Sequence, residues 1–364
     1  MLVIFSKLGF SQFGAPYSIY IISPFFLDTN VRNSGMGNVL LVFDNSPNLY
    51  RNSANLIWVE KPLIEISGNY TCGYWITEEI RLDHFMPSSF IFAYPRNNVR
   101  FGICECLIYD WNINSQLQGN TLLGDSFEVK IKNSEKVFAT TVSLSFLPMD
   151  KLCIGVDLNL LKESVFSNVG TDSIPTSRVE GSGHGYTWNF GFIYLPRKWL
   201  SIGGSIRPEN KIYGNWSYRV DSLTNQQGQY FHNLPLKFEV GLAIRISTPI
   251  QIAFSFDRTY WMRYENSTNI LNTTQLKDVD RFHFGLEYRS YLSIRFGFYT
   301  EPYYLGRPFG YPSGCMDQKF LTFGTSYTYK NIDFDFSIGK SGLFEKRVLT
   351  TKQTRIEVAT SYAF

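Results

Sequence analysis

From about Leu63 onward the chain alternates apolar and polar residues with a period of two. Over 236–247, Leu236, Phe238, Val240, Leu242, Ile244 and Ile246 are apolar, whereas Lys237, Glu239, Gly241, Ala243, Arg245 and Ser247 are small or charged. Successive strand side chains point to opposite faces, so one face asks for an apolar medium and the other for water. The pattern returns in Ile250/Ile252/Phe254/Phe256 against Gln251/Ala253/Ser255/Asp257, and in Phe282/Phe284/Leu286/Tyr288 against His283/Gly285/Glu287/Arg289. It returns again in Ile332/Phe334/Phe336/Ile338 against Asp333/Asp335/Ser337. A transmembrane barrel turns its apolar face to lipid and keeps charge and glycine inside, the arrangement these faces suggest.

The alternating segments predict about fourteen strands, at 63–71, 87–95, 99–111, 136–147, 150–166, 184–196 and 198–219, then 235–248, 249–264, 278–290, 291–303, 318–330, 331–345 and 350–364. Short turns such as Arg96–Asn98, Pro196–Arg197 and Thr248–Pro249 alternate with long connections at 72–86, 112–135, 167–183, 220–234, 265–277 and 304–317. Short turns on one side and long loops on the other, with an even strand count, are the habit of bacterial outer-membrane barrels. The fold class expected is therefore all-β: a transmembrane antiparallel barrel of about 14 strands. The chain ends in a strand where Ile356, Val358, Thr360, Tyr362 and Phe364 share a face. Tyr362 and terminal Phe364 look like the recognition signal that barrel-insertion machinery reads.

Composition agrees with a membrane setting. Aromatic residues make up 17% of the chain and charged ones only 18%, with 23 Tyr and 31 Phe. Tyr and Trp favour the membrane–water boundary, which makes outer-membrane lipid an expected partner. The formal net charge of +3 comes without a basic tract, so nucleic acid is not an expected partner. No apolar run reaches 18 residues, which excludes a spanning helix and requires a closed barrel, because lipid cannot satisfy an open sheet edge.

The first sixty residues differ in kind. Residues 1–12 read as a remnant or degenerate signal segment, with the short apolar run LVIF and one Lys. Residues 13–60 lack alternation, are rich in Asn, Ser and Gly, and are expected to fold inward as a plug, leaving 61–364 as the barrel.

That segment carries a family resemblance. Ile22–Pro24, Phe26–Asp28 and Val31-Arg32-Asn33-Ser34-Gly35-Met36-Gly37-Asn38-Val39 resemble the P-D-A-R-A-A-G-M-G-x-A opening of FadL-type outer-membrane proteins. Asn45-Ser46-Pro47-Asn48-Leu49-Tyr50-Arg51-Asn52-Ser53-Ala54-Asn55-Leu56 resembles their following D-x-x-A-x-x-x-N-P-A-G-L. Ser53 replaces the usual Pro and Asn55 the usual Gly, which alters the turn, and Asn38 stands where a small residue is common. The resemblance extends to the PorV branch of type IX secretion. It implies a fourteen-stranded barrel whose N-terminal hatch, marked by Arg32, Gly35, Met36, Gly37, Asn52, Ser53 and Ala54, occludes the lumen. In the transporter branch a hydrophobic ligand binds above the hatch and leaves sideways through a gap in the wall. In the secretion branch the barrel receives a secreted protein instead.

The inward charges form the most functional-looking set: Glu65, Lys237, Glu239, Arg245, Asp257, Glu287, Arg289, Arg295, Asp333, Asp335, Arg355 and Glu357. Mixed signs on adjacent strands read as a salt-bridge network bracing wall and hatch, whereas a single-sign ring would argue for an ion-selective pore. Arg32 has Glu65, Asp333 or Glu357 as candidate partners, or else is solvated in the lumen. Glu105 falls on the outward face of 99–111, where an acid is costly; a bulge near Cys104–Cys106 would re-aim it and mark a lateral opening. Of the four histidines only His283 falls on a predicted strand, facing inward. Neither metal-ligand spacing nor a catalytic motif is visible, so no cofactor, metal or catalytic residue is assigned. Cys72 and Cys315 fall in long connections where a bridge is allowed, while Cys104, Cys106 and Cys153 read as packing thiols. Aromatics of the long connections (Tyr74, Trp75, Phe85, Tyr230, Phe231, Tyr303, Tyr304 and Tyr311) suit a pocket mouth or a partner surface.

Overall fold

The computed structural model describes residues 30–43, 47–74, 81–120, 126–171, 177–220, 224–265, 267, 276–304, 314, 317–343 and 352–364. Sixteen strands form one antiparallel sheet that closes on itself. They are β1 (Leu63–Tyr74), β2 (Arg81–Arg96), β3 (Val99–Asn120), β4 (Ser126–Met149), β5 (Leu152–Thr171), β6 (Ser177–Arg197), β7 (Leu200–Arg207) and β8 (Asn210–Val220). The remainder are β9 (Thr224–Leu234), β10 (Lys237–Ser247), β11 (Ile250–Thr259), β12 (Val279–Tyr288), β13 (Leu292–Glu301), β14 (Gln318–Tyr329), β15 (Ile332–Ser341) and β16 (Lys352–Ala363). β7 and β8 share one position in the wall, as do β9 and β10, so the barrel has fourteen positions. β1 pairs with β16 from Leu63↔Ala363 to Tyr74↔Lys352, which joins the two ends of the chain.

The two divided positions correct the sequence reading. The segment expected at 198–219 breaks at Pro208–Glu209, and the connection expected at 220–234 contains β9. Pro208 and Pro235 have no N–H for the ladder, so each ends a strand and lets the chain change neighbours. The lower part of β6 pairs with β7 and its upper part with β8, so β8 and β9 form a hairpin that leans away from the β7–β10 ladder. The connections expected at 112–135 and 167–183 are also mostly strand: β3 runs for 22 residues and β4 for 24. Crossing a bilayer takes only about ten residues. Beyond that length lipid no longer enforces an apolar face, and sequences such as Asn112-Ile113-Asn114-Ser115-Gln116 lose the alternation while keeping the ladder. His84, His184 and His232 accordingly lie on strands, not in loops.

The wall is inverted relative to a soluble protein. On β5, outward Val156, Leu158 and Leu160 are exposed while inward Asp157, Asn159 and Glu163 are fully buried. Outward Trp188, Phe190 and Phe192 of β6 and Phe254 of β11 continue an exposed apolar belt. This is a membrane-embedded barrel.

Inside it lie the described parts of the N-terminal segment. Asn30 caps a short helix, α1 (Val31–Gly35), its side chain accepting from the Asn33 N–H at 2.9 Å. Met36, Val39, Leu40 and Leu41 follow, each at most 1% exposed. A second piece, the 3-10 turn Ser53–Trp58, is capped by Asn52, whose side-chain oxygen accepts from the Ala54 N–H. α1 packs on β13–β16, the 3-10 turn on β3–β6, on the other side of the ring.

Backbone-to-backbone contact makes Gly37 irreplaceable. Its φ is +73°, and a Cβ there would sit 2.4 Å from the Phe284 carbonyl oxygen and 2.7 Å from the Phe298 backbone. Left-handed backbone alone costs an L-residue about 1–2 kcal/mol, and the contacts leave no direction of escape. Gly37→Val is therefore expected to unseat residues 30–43. The check is limited proteolysis of the folded, purified barrel, in which new cleavage should appear in this stretch while the barrel's own heat-dependent gel mobility stays unchanged.

Candidate functional site

The lumen is held together by polar contacts between segment and wall. Arg32 on α1 places Nε 2.8 Å from Asp335 and Nη2 2.9 Å from Asp333. Asp333 was among its candidate partners; Asp335 is an addition, and Glu65 and Glu357 lie buried on β1 and β16. The Gly37 N–H donates to Thr322 Oγ1 at 2.9 Å, and the Thr322 hydroxyl donates to the Gly35 carbonyl at 3.0 Å. His283 is tied to the Gly37 carbonyl through Nδ1 and to Asp257 through Nε2, each at 2.9 Å. Arg51 contacts Glu239 at 3.1 Å, and Arg245 lies over the Phe43 ring at 4.5 Å. Asn52 donates to the carbonyls of Phe192 and Gly204, and Ser53 with Ala54 presses against Gly155.

The remaining wall charges pair among themselves. Glu287, fully buried, receives Arg295 at 2.7 Å and also Arg289. Asp257 receives Arg281 at 3.1 Å and Lys237 at 3.7 Å, and Lys237 also meets Glu239. Arg355 reaches Glu301 at 3.1 Å and the Tyr299 hydroxyl at 3.1 Å, while Ser337 donates to Glu357. Arg51, Arg207, Arg281 and Glu301 belong to this network and were not among the sequence candidates. Arg281 stands one step along an inward face already recognised (283/285/287), so extending the alternation would have found it, whereas no face was assigned around Arg207. A cavity of about 60 Å³ remains between Asn38, Tyr50 and Arg51 of the segment and Arg207, Asp257 and His283 of the wall. A water takes about 30 Å³ of liquid volume, so this space suits water and not an organic molecule. Asn38 turns the chain there with φ +57°, a conformation Asn tolerates better than most residues.

The wall parts between β2 and β3. β2 pairs with β3 only from Arg96↔Val99 to Ser89↔Cys106. Above that level β2 continues beside β1 to Arg81↔Tyr74, and β3 continues beside β4 to Asn120↔Ser126. A bulge between Leu107 and Tyr109 breaks the alternation of β3, so Leu107, Ile108, Tyr109 and Asp110 are all buried. A second bulge at Ser67/Gly68 on β1 faces Pro87 and Ser88 of β2. Pro87, with no N–H, suits a strand edge without a partner. His84 of β2 meets Asp110 of β3 across the break, and Lys136 Nζ of β4 lies 3.3 Å from Met86 Sδ. Glu105 remains outward and exposed, because the bulge begins beyond Cys106 and does not re-aim it. Cys104, Cys106 and Cys153 are buried free thiols; Cys72 is also free, and Cys315 lies outside the described residues.

Beside the break is an aromatic cluster. Trp261 stacks on Tyr304 at 4.5 Å, Tyr303 lies 4.9 Å from Tyr304, and Tyr264 approaches both Trp261 and His232. Tyr109 belongs to the same apolar cluster, as do Leu49, Tyr50, Leu56 and Val59 of the N-terminal segment below it. Of the loop aromatics noted in the sequence, Tyr230, Tyr303 and Tyr304 are buried, and Phe85 is exposed on the outer surface. Trp75 and Tyr311 lie outside the described residues, and the side chain of Tyr74 is not described.

A closed antiparallel barrel of fourteen wall positions, with an N-terminal segment across its lumen and a parted ladder in its wall, defines a FadL-type fold. The likeness to solved structures agrees. A FadL homologue of Pseudomonas aeruginosa superposes with a TM-score of 0.71 at 13% identity, covering 94% of this chain and 100% of that one. The toluene transporter TbuX of Ralstonia pickettii gives 0.66 at 15% identity, covering 91% and 97%. The toluene transporter TodX of Pseudomonas putida gives 0.65 at 13%, covering 93% and 98%. No protein-family model and no curated protein matches the sequence.

Proposed function

We propose that this chain is a bacterial outer-membrane channel that admits hydrophobic small molecules at its extracellular end and releases them sideways into the membrane. The observation that carries this reading is the parting of β2 from β3 above Ser89 and Cys106. Straight passage down the lumen is blocked by the N-terminal segment and its ion pairs. The break, in contrast, joins an interior lined by Leu107, Ile108 and Tyr109 to the apolar outer surface, where Phe85 and Phe90 are exposed. A molecule without charge loses little by moving along such a route, whereas passing the lumenal charges would require it to displace paired ions. The proteins of like fold described as toluene transporters make an aromatic hydrocarbon the first cargo to test.

Cross-linking across the break tests the route. His84 and Asp110 touch, so His84→Cys with Asp110→Cys, in a Cys72→Ser, Cys315→Ser background, can be bridged by a short thiol-reactive linker. Uptake of labelled toluene by cells carrying this variant is expected to fall at least fivefold on bridging with an uncleavable linker. A linker containing a disulfide should give the same loss, reversed by reductant. Uptake that is indifferent to the bridge would reject the lateral route.

A further inference from the structure

Two carboxylates stand inside the aromatic cluster, and the passage of apolar cargo gives them no task. Glu163 of β5 is fully buried and fully engaged: the Tyr230 hydroxyl donates to one oxygen at 2.6 Å and His232 Nε2 lies 3.0 Å from the other. Glu135 of β4, 2% exposed, is different, because both of its oxygens are buried and neither makes a hydrogen bond within 3.5 Å. Burial first, and then the neighbouring Glu163, push its carboxyl well above the usual carboxylate range, while the Tyr109 phenol acts the other way. Its own charge is felt by the phenol of Tyr304, which stacks on Trp261. Independent of the acids, the indole Nε1 of Trp261 and Nδ1 of His232 are also buried without a partner, each residue 1% exposed. No cationic side chain pairs with Glu135 among the described contacts, so an amine guest that takes up its proton is held there as an ammonium–carboxylate pair. Outward Lys136 and Lys162 do not share this interior.

An unpaired carboxylate walled by electron-rich rings is a receptor for an organic cation. The carboxylate supplies a charge-assisted hydrogen bond, and the faces of Trp and Tyr attract the cation through their quadrupoles. A purely apolar guest would leave Glu135 desolvated and without a partner. A carboxylate guest would add a further negative charge. We propose that Glu135, with Tyr109, Trp261 and Tyr304, forms a recognition site for hydrophobic amines bound as ammonium ions. Tyr109 lies in the bulged run at the wall break, so the site opens onto the lateral route. The inference rests on the channel reading above and narrows its cargo.

Binding to the purified, full-length protein, followed by calorimetry or by Trp fluorescence, decides it with three probes of one shape: benzylamine, benzyl alcohol and toluene. Benzylamine is expected to bind at least tenfold more tightly than the other two. Glu135→Gln, which keeps size and packing, should remove that preference and leave toluene affinity within about twofold. Glu163→Gln, whose parent carboxylate is already engaged, should reduce the preference less. Equal affinity for benzylamine and toluene, or for benzylamine and benzyl alcohol, overturns the amine site while leaving the channel reading intact. Preference retained in Glu135→Gln overturns it as well. Failure of all three probes to bind would count against both readings.

Discussion

Removing residues 13–60 turns a closed barrel into a conducting one in planar bilayers. Barrels of eight strands fill with their own side chains, whereas barrels of sixteen or more leave an aqueous channel; fourteen positions fall near the wide end. The lumen here is filled by Met36, Leu40, Leu41, Leu49 and Leu56, none of them from the wall. Without them, single-channel conductance should rise by more than roughly tenfold, with weak ion selectivity because the exposed wall carries charges of both signs. Arg32→Ala should act in the same direction and more mildly. Breaking a buried ion pair costs about 3–5 kcal/mol when the partner is left alone. Asp335, however, keeps Ser326 and has Arg295 at 3.6 Å, and Asp333 is partly solvated, so the lower end of that range applies. Equal conductance of the truncated and intact proteins would show that this stretch does not seal the lumen.

Changing Phe364 to Asp, or deleting it, leaves the chain stalled before membrane insertion. The prediction separates assembly from stability because of how the last residue is held. The N–H of Phe364 donates to the Pro62 carbonyl at 2.9 Å, a bond that Asp retains. Its ring meets Tyr362 edge-on at 5.0 Å, and both rings are about half exposed. Substitution therefore costs the finished barrel little, and protein refolded in detergent should melt within a few degrees of the parent. A loss of most membrane-inserted material in cells, with the refolded variant stable, identifies these rings as a signal read during biogenesis. Normal insertion of both variants would remove that role.

The legible part of this protein was the part that lipid dictates. Where one face meets hydrocarbon and the other water, alternation is enforced, and the strands from Lys237 to Ser341 lie close to where the pattern put them. The same phase placed Glu239, Asp257, Glu287 and Asp335 inside, and they are inside. Legibility failed beyond the bilayer-crossing length, where the upper halves of β3 and β4 keep the ladder without a simple apolar–polar alternation. It failed at Pro208, placed inside one expected strand over 198–219, and at Pro235, placed at the start of the next; both mark a change of partner within one wall position. Glu135 was hidden for the first reason: it sat in what looked like a loop, so no inward direction was assigned to it. Partner choice inside the lumen was legible only as a set of candidates, which held Asp333 and missed Asp335. Arg32 could have met several acids, and only the seat of Gly35 against Gly324, with a Cβ on Gly35 2.9 Å from the Gly324 Cα, brings it to β15.

The N-terminal segment also has a mechanical consequence. A wall whose β2–β3 ladder ends at Ser89↔Cys106 is a ring slit from one end, and a slit ring is easier to deform at that end than a closed one. The segment runs from β13–β16 to β3–β6, bonded at each end, as a strut lies across a hoop. Its far anchor sits on β3–β6, immediately beside the split. The width of the slot is then set by the length and seating of a strut about thirty residues long, and anything that shifts its anchors changes the width of the opening at the same time.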